Sequence, residues 1–245
     1  MRFTRSDLSL SAEVKDFALA DATLTVAFTL AFVGGAAYLG TDWPLFIYFL
    51  PILFIAVTLS FVLHELMHKI VAQRFGAIAG FRISVMGLGI ALLSSLFGFI
   101  LGIPGATVIY TSNFTTKEEG IVSFAGPLTN FSIFIVFLVA GIALYGNVLG
   151  SVYTTLTSPL SISYLHNIIN MVLFISILLA FFNMLPIYPL DGSKVLRWSK
   201  PIYIFTLAII FVLFAMIIGL GTILFSLVFM LVVAFILSLF YRGVL

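Results

Sequence analysis

The sequence predicts an all-α membrane bundle of six transmembrane helices, with a short membrane-associated hairpin or re-entrant segment between the second and third. Three observations carry this expectation. Hydrophobic residues make up 62% of the 245-residue chain and charged residues 8%, against roughly a quarter charged in a soluble domain. Mean hydropathy is +1.28. Apolar runs of about 20 residues, the length a helix needs to cross a bilayer, recur along the chain. The same arithmetic excludes a soluble globular enzyme, a disordered chain and a nucleic-acid binder. With 11 basic and 9 acidic residues, the pI near 8.9 reflects a thin set of charges and not a basic surface. The absence of cysteine rules out disulfides and thiolate metal sites.

The start, Met1–Asp21, alternates charge with apolar residues and lacks the apolar core of a signal peptide, so it reads as an amphipathic segment lying on the membrane or packed on the bundle. The first span is Ala22–Gly40. The second runs from Leu45 to about Ala72 and carries its apolar run into His64-Glu65-Leu66-Met67-His68. Val85–Ile103 is apolar but holds Gly87, Gly89, Ser94, Ser95, Gly98 and Gly102, a density that weakens a helix, and Pro104-Gly105 follows. Ile121–Tyr145, Ile162–Leu185, Pro201–Gly219 and Thr222–Tyr241 complete the set.

Charge placement decides whether Val85–Ile103 crosses. With six spans and a cytoplasmic N-terminus, every basic residue, from Arg2 to Arg242, falls on the cytoplasmic side, as the positive-inside bias favours. The connections 41–44 and 146–161 lie outside and contain no Lys or Arg. A seventh span would move Lys194, Arg197 and Lys200 outside. The expectation is therefore a multi-pass protein of the cell membrane with both termini cytoplasmic. Without repeat, linker or low-complexity stretch, residues 1–245 read as one polytopic domain, with its core at 45–195.

The chemistry concentrates in His64-Glu65-x-x-His68. Residues four apart on a helix share a face, so both imidazoles can meet one zinc ion. Glu65, one step round, can take a proton from the water that such an ion activates. The chain has only three histidines, and two of them stand with a carboxylate in an apolar helix, where ionisable groups are functional by default. Zinc that keeps an open position for water usually has three protein ligands. Six residues past His68 stands Arg74. Glu118 and Glu119 read as a solvated helix start, and His166 falls near the outer end of its span as a packed or interfacial residue. Asp191 fits best as third ligand. It is the last acidic residue of the chain, placed where Pro186 and Pro189 break the helix and Gly192 permits a tight turn. His64 lies about 20 residues into its span, roughly 30 Å along the helix, which puts it on the same side of the bilayer as Asp191 only if Val85–Ile103 does not cross.

These residues resemble the site-2 protease family of intramembrane zinc metalloproteases. His64-Glu65-x-x-His68 is similar to the family's first motif, Ala125-Gly126-Pro127-x-x-Asn130 to its second, and Asn183-x-x-Pro186-x-x-Pro189-Leu190-Asp191-Gly192 to its third. The glycine-rich stretch before Pro104-Gly105-Ala106 resembles the membrane-associated β-structure between the first two. Met67 stands where glycine is common, which replaces no ligand. The likeness covers about residues 45–195, with no insertion matching a PDZ domain and no tail long enough for a CBS pair. It implies one Zn2+ per chain held by His64, His68 and Asp191, Glu65 as general base, and Asn183 near the scissile carbonyl, with Asn130 bracing helices or the substrate strand. It implies, as activity, proteolysis within or near transmembrane segments, with membrane proteins as substrates and the lipid bilayer as surroundings. Two other readings use the same residues: a zinc transporter or channel, and a catalytically silent binder of membrane helices. The glutamate between the histidines, and the shortage of polar residues along a path across, weigh against transport. The intact His64, Glu65, His68 and Asp191 weigh against silence.

Overall fold

The computed structural model describes residues 10–102, 104–110, 114–219 and 221. The expected last span, Thr222–Tyr241, lies outside them, as do the first nine residues and Arg242. Within them the regular structure is helical except for one two-stranded sheet. The helices are α1 (Leu10–Phe32), α2 (Ala36–Val57), α3 (Leu63–Arg74), α4 (Val85–Ser95), α5 (Thr116–Tyr145), α6 (Val148–Thr157), α7 (Tyr164–Asn183), α8 (Asp191–Trp198) and α9 (Lys200–Ile218). Strands β1 (Ala79–Ile83) and β2 (Gly105–Ile109) pair antiparallel, with Phe81 opposite Thr107. Four described helices are long and apolar enough to cross a membrane: the rod Gly40–Arg74, then α5, α7 and α9.

The amphipathic start and the expected first span prove to be one helix, closed earlier than hydropathy alone suggests. The chain reverses at Gly34 and Gly35, whose φ of 92° and 78° suit residues without a Cβ. A Cβ on Gly35 would also lie 2.3 Å from the Leu96 carbonyl oxygen, where the end of α4 docks on the turn. The first half of α1 carries Glu13, Lys15, Asp16 and Asp21, and it packs along the sheet. Glu13 is buried, pairs with Lys69 and accepts the Phe81 N–H at 3.0 Å. Asp16 holds Arg82 at 3.0 Å, and Phe17 stacks on Phe81 with ring centroids 4.3 Å apart.

α2 and α3 form a continuous rod through a turn of π-helix, Thr58–Val62. The turn is tied on both sides. Thr58 donates to Asp21 at 2.7 Å, and the Ser60 and Ser176 hydroxyls meet at 2.8 Å. The stretch expected to be a hairpin or re-entrant segment is β1–α4–β2. The 11 residues of α4 reach only about 16 Å, too short to cross. Ser84 caps α4 by accepting the Gly87 N–H at 3.0 Å. The connection 146–161 contains α6.

α5 is the axis of the bundle, packing against α3, α7 and α8. A capping box at Thr115 and Glu118 starts it. Glycines set its closest approaches: a Cβ on Gly120 would lie 2.2 Å from the Trp198 Cβ. The main core joins α5, α6, α7 and α9 around Phe134, Leu173, Phe181 and Phe214, all at most 3% exposed. The corner between α7 and α8 is equally tight. A Cβ on Gly192 would fall 2.2 Å from the Met184 carbonyl oxygen. Gly192→Ala should therefore destabilise the protein by roughly 1–3 kcal/mol, read as a lower melting temperature in detergent. Gly89→Ala, with nothing within 4 Å of the added Cβ, should not lower it.

Candidate metal centre

Three donors from two distant segments meet in the interior. The Nε2 atoms of His64 and His68 lie 3.0 Å apart. Asp191 Oδ2 lies 3.4 Å from His64 Nε2 and 3.0 Å from His68 Nε2. His64, His68 and Asp191 are 3%, 7% and 8% exposed, so the cluster is shielded from solvent. Helical spacing in α3 puts both imidazoles on one face, with their planes 84° apart. The Pro186–Pro189 break and the Gly192 corner return the chain so that Asp191 begins α8 against them.

These donors suit a tetrahedral divalent metal. Ligand bonds of about 2.0–2.1 Å place neighbouring donors roughly 3.3–3.4 Å apart, close to the three separations found. A second fit comes from α5. Gly126 faces the imidazoles so closely that a Cβ there would lie 2.4 Å from His68 Nε2 and 2.5 Å from His64 Nε2. Behind the donors, α5 supplies the outer contacts that orient metal-binding imidazoles. His68 Nδ1–H donates to the Val122 carbonyl at 2.7 Å, which leaves Nε2 its lone pair. Asn130, fully buried, sets its amide 3.2 Å from His64 Nδ1, and its Oδ1 has no hydrogen-bond partner. With that amide turned so that Oδ1 accepts Nδ1–H, the orphaned oxygen is satisfied and the His64 Nε2 lone pair faces the cluster. Burial disfavours charge on Asp191, but where the imidazoles carry protons at Nε2 in place of a metal, those rings hold its carboxyl well below the usual carboxylate range.

Glu65 stands beside the donors. Its Oε2 accepts the Thr107 N–H at 2.9 Å and the Thr107 hydroxyl at 3.0 Å, and that hydroxyl also lies 2.9 Å from the Glu65 carbonyl oxygen. The remaining sequence candidates make other contacts. Asn183 donates its amide to the Leu179 carbonyl at 3.0 Å within α7. His166 stacks on Tyr145, with centroids 4.0 Å apart, and meets the Ser151 hydroxyl at 2.8 Å. Glu118 serves the α5 cap, and Glu119 pairs with Arg197 on the surface. Thr107 and the Val122 carbonyl carry no motif and are invisible to sequence reading. Asn130 sits in a recognised motif, yet only the fold reveals its contact with His64.

The model of peptidase family M50 matches residues 52–202, a stretch containing all three donors. A protein of Methanocaldococcus jannaschii, "Putative zinc metalloprotease MJ0611", is 38% identical over 150 residues, covering 61% of this chain and 71% of that one. No solved structure matches.

Gly126→Ala places a methyl group where the two imidazoles converge. Bound metal, measured by plasma mass spectrometry on the purified protein, should fall at least tenfold, while the far-ultraviolet circular dichroism stays that of a helical bundle.

Proposed function

The chain belongs to peptidase family M50, the site-2 protease family, and from that premise we propose that it is a zinc-dependent intramembrane endopeptidase that hydrolyses peptide bonds within or near the transmembrane segments of membrane proteins. The observation that supports this reading most is the convergence of His64, His68 and Asp191 at 3.0–3.4 Å with Glu65 alongside. In it, those three residues hold one Zn2+ per chain. Zinc bound there supplies Lewis acidity to the attacking water and the scissile carbonyl.

The chain's own residues do the rest. Glu65 takes the proton of the attacking water and passes it to the leaving amine. Asp191 and the imidazoles, oriented by Val122 and Asn130, keep the donor set fixed while charge develops. Asn183 gives one amide N–H to the Leu179 carbonyl, and in this reading its second N–H is the hydrogen-bond donor to the substrate carbonyl. The six-span arrangement and cytoplasmic termini belong to the same reading. They set the metal centre on the basic side of the bundle, where water enters near Asp191 and Lys194.

A helical substrate hides its peptide bonds and must unwind. The edge of β2 offers a place for the extended segment by strand addition. Because the Thr107 N–H points away from β1, the alternating N–H groups of Gly105 and Ile109 point the same way. Both edges carry a carboxylate at their centre, Glu13 on the Phe81 N–H and Glu65 on the Thr107 N–H; β1 is packed further by α1 through Phe17 on Phe81 and Asp16 on Arg82, which favours the β2 side.

The reading is tested with a model membrane-spanning peptide in detergent or liposomes. Glu65→Gln should keep zinc and lose at least a thousandfold in turnover. Asp191→Asn should lose zinc as well; full metal content and activity in that variant would remove Asp191 from the ligand set. Zinc flux into vesicles that survives Glu65→Gln would favour transport instead. Ile109→Pro removes an edge N–H without touching the β1 ladder, and should lower cleavage severalfold with zinc content unchanged.

A further inference from the structure

Resting on the proposed role of Glu65 as general base, we infer that Thr107 is its positioning residue, and that the centre of the β2 edge is reserved for the base and not for substrate. Thr107 grips Glu65 at both ends. Its N–H donates to Oε2 at 2.9 Å, and its single hydroxyl proton is shared between Oε2 at 3.0 Å and the Glu65 carbonyl oxygen at 2.9 Å. The first turn of α3 and the carboxylate are thus fixed against the same strand residue. With Oε2 anchored, Oε1 is the oxygen left to face the attacking water.

The opposite edge of the sheet supplies the contrast. Phe81, directly across from Thr107, also gives its N–H to a carboxylate, that of Glu13. Glu13 is neutralised by Lys69. Among the described residues Glu65 has no ion pair with Lys or Arg, so the hydrogen bonds from Thr107 are what fix the position of its carboxylate. Nor does the strand itself need the hydroxyl, since valine fits a β position as well as threonine does. A peptide added along β2 then pairs at Gly105 and Ile109 and passes Thr107 without taking its N–H, so the base is held in place while substrate is bound.

The test uses the zinc-loaded full chain and the membrane-spanning peptide. Thr107→Val should lower kcat about tenfold, leave KM within twofold and leave zinc content equal to the parent. Thr107→Ser, which restores the hydroxyl, should recover most of the loss. Parental kcat in Thr107→Val, a serine variant no better than valine, or a loss confined to KM would overturn the inference, the last by assigning Thr107 to substrate docking. A second measurement does not depend on cleavage. In the metal-free protein, the melting-temperature losses of Thr107→Val and Glu65→Ala should be non-additive, the double variant melting no lower than the worse single one. Additive losses would overturn the contact itself. If the parent cleaves no peptide, or Glu65→Gln keeps parental turnover, it is the endopeptidase reading that fails, and the melting cycle still decides whether Thr107 holds Glu65.

Discussion

The structure depends on how closely α5 approaches the histidine pair. Gly126 has no side chain, and the space a methyl group would need is filled by two imidazole nitrogens. Because that gap is closed, the residues about one turn either side of Gly126 fall into place: the Val122 carbonyl behind His68, and Asn130 behind His64. A single helix face thus packs against α3 and orients both rings. Had α5 stood farther off, the imidazoles would have been free to rotate, and Asp191 would have had no fixed pair to meet.

The second requirement is that a carboxylate from far along the chain arrive at the same depth. α7 ends at Asn183, and α8 begins at Asp191 with Gly192 tucked against the Met184 carbonyl. A two-proline break followed by a glycine produces a corner too tight for any larger residue. The Gly120–Trp198 contact then presses α8 onto α5. The donor set is therefore assembled by three close contacts at glycine, each using the absence of a side chain to bring backbone or ring within reach. In an apolar interior, such fits substitute for the polar networks of soluble proteins.

Much of this was legible in the chain. Spacing placed His64 and His68 on one face. The position of Asp191 after two prolines nominated it without knowledge of the fold, and the glycine and serine content of residues 85–103 argued against a crossing helix. Three features were not legible. The first helix begins before its apolar stretch, because Glu13 and Asp16 are drawn to partners on β1 and α3 that no local window contains. Thr107 is an ordinary strand residue whose importance comes from lying beside Glu65 across 42 positions of sequence. Asn183 sits in a recognised pattern, yet its amide is turned back on its own helix, a choice of rotamer that no pattern encodes.

The π-helical turn at Thr58–Val62 has a consequence of its own. Such a turn holds one residue more than the α-helix it interrupts, so everything after it is rotated by roughly 100° relative to an uninterrupted helix. Before the turn the rod faces α1; after it, the histidines face α5. Their angular phase is thus set by counting residues, whatever those residues are. Shortening this segment by one would leave every ligand in the chain and yet swing both rings away from Asp191.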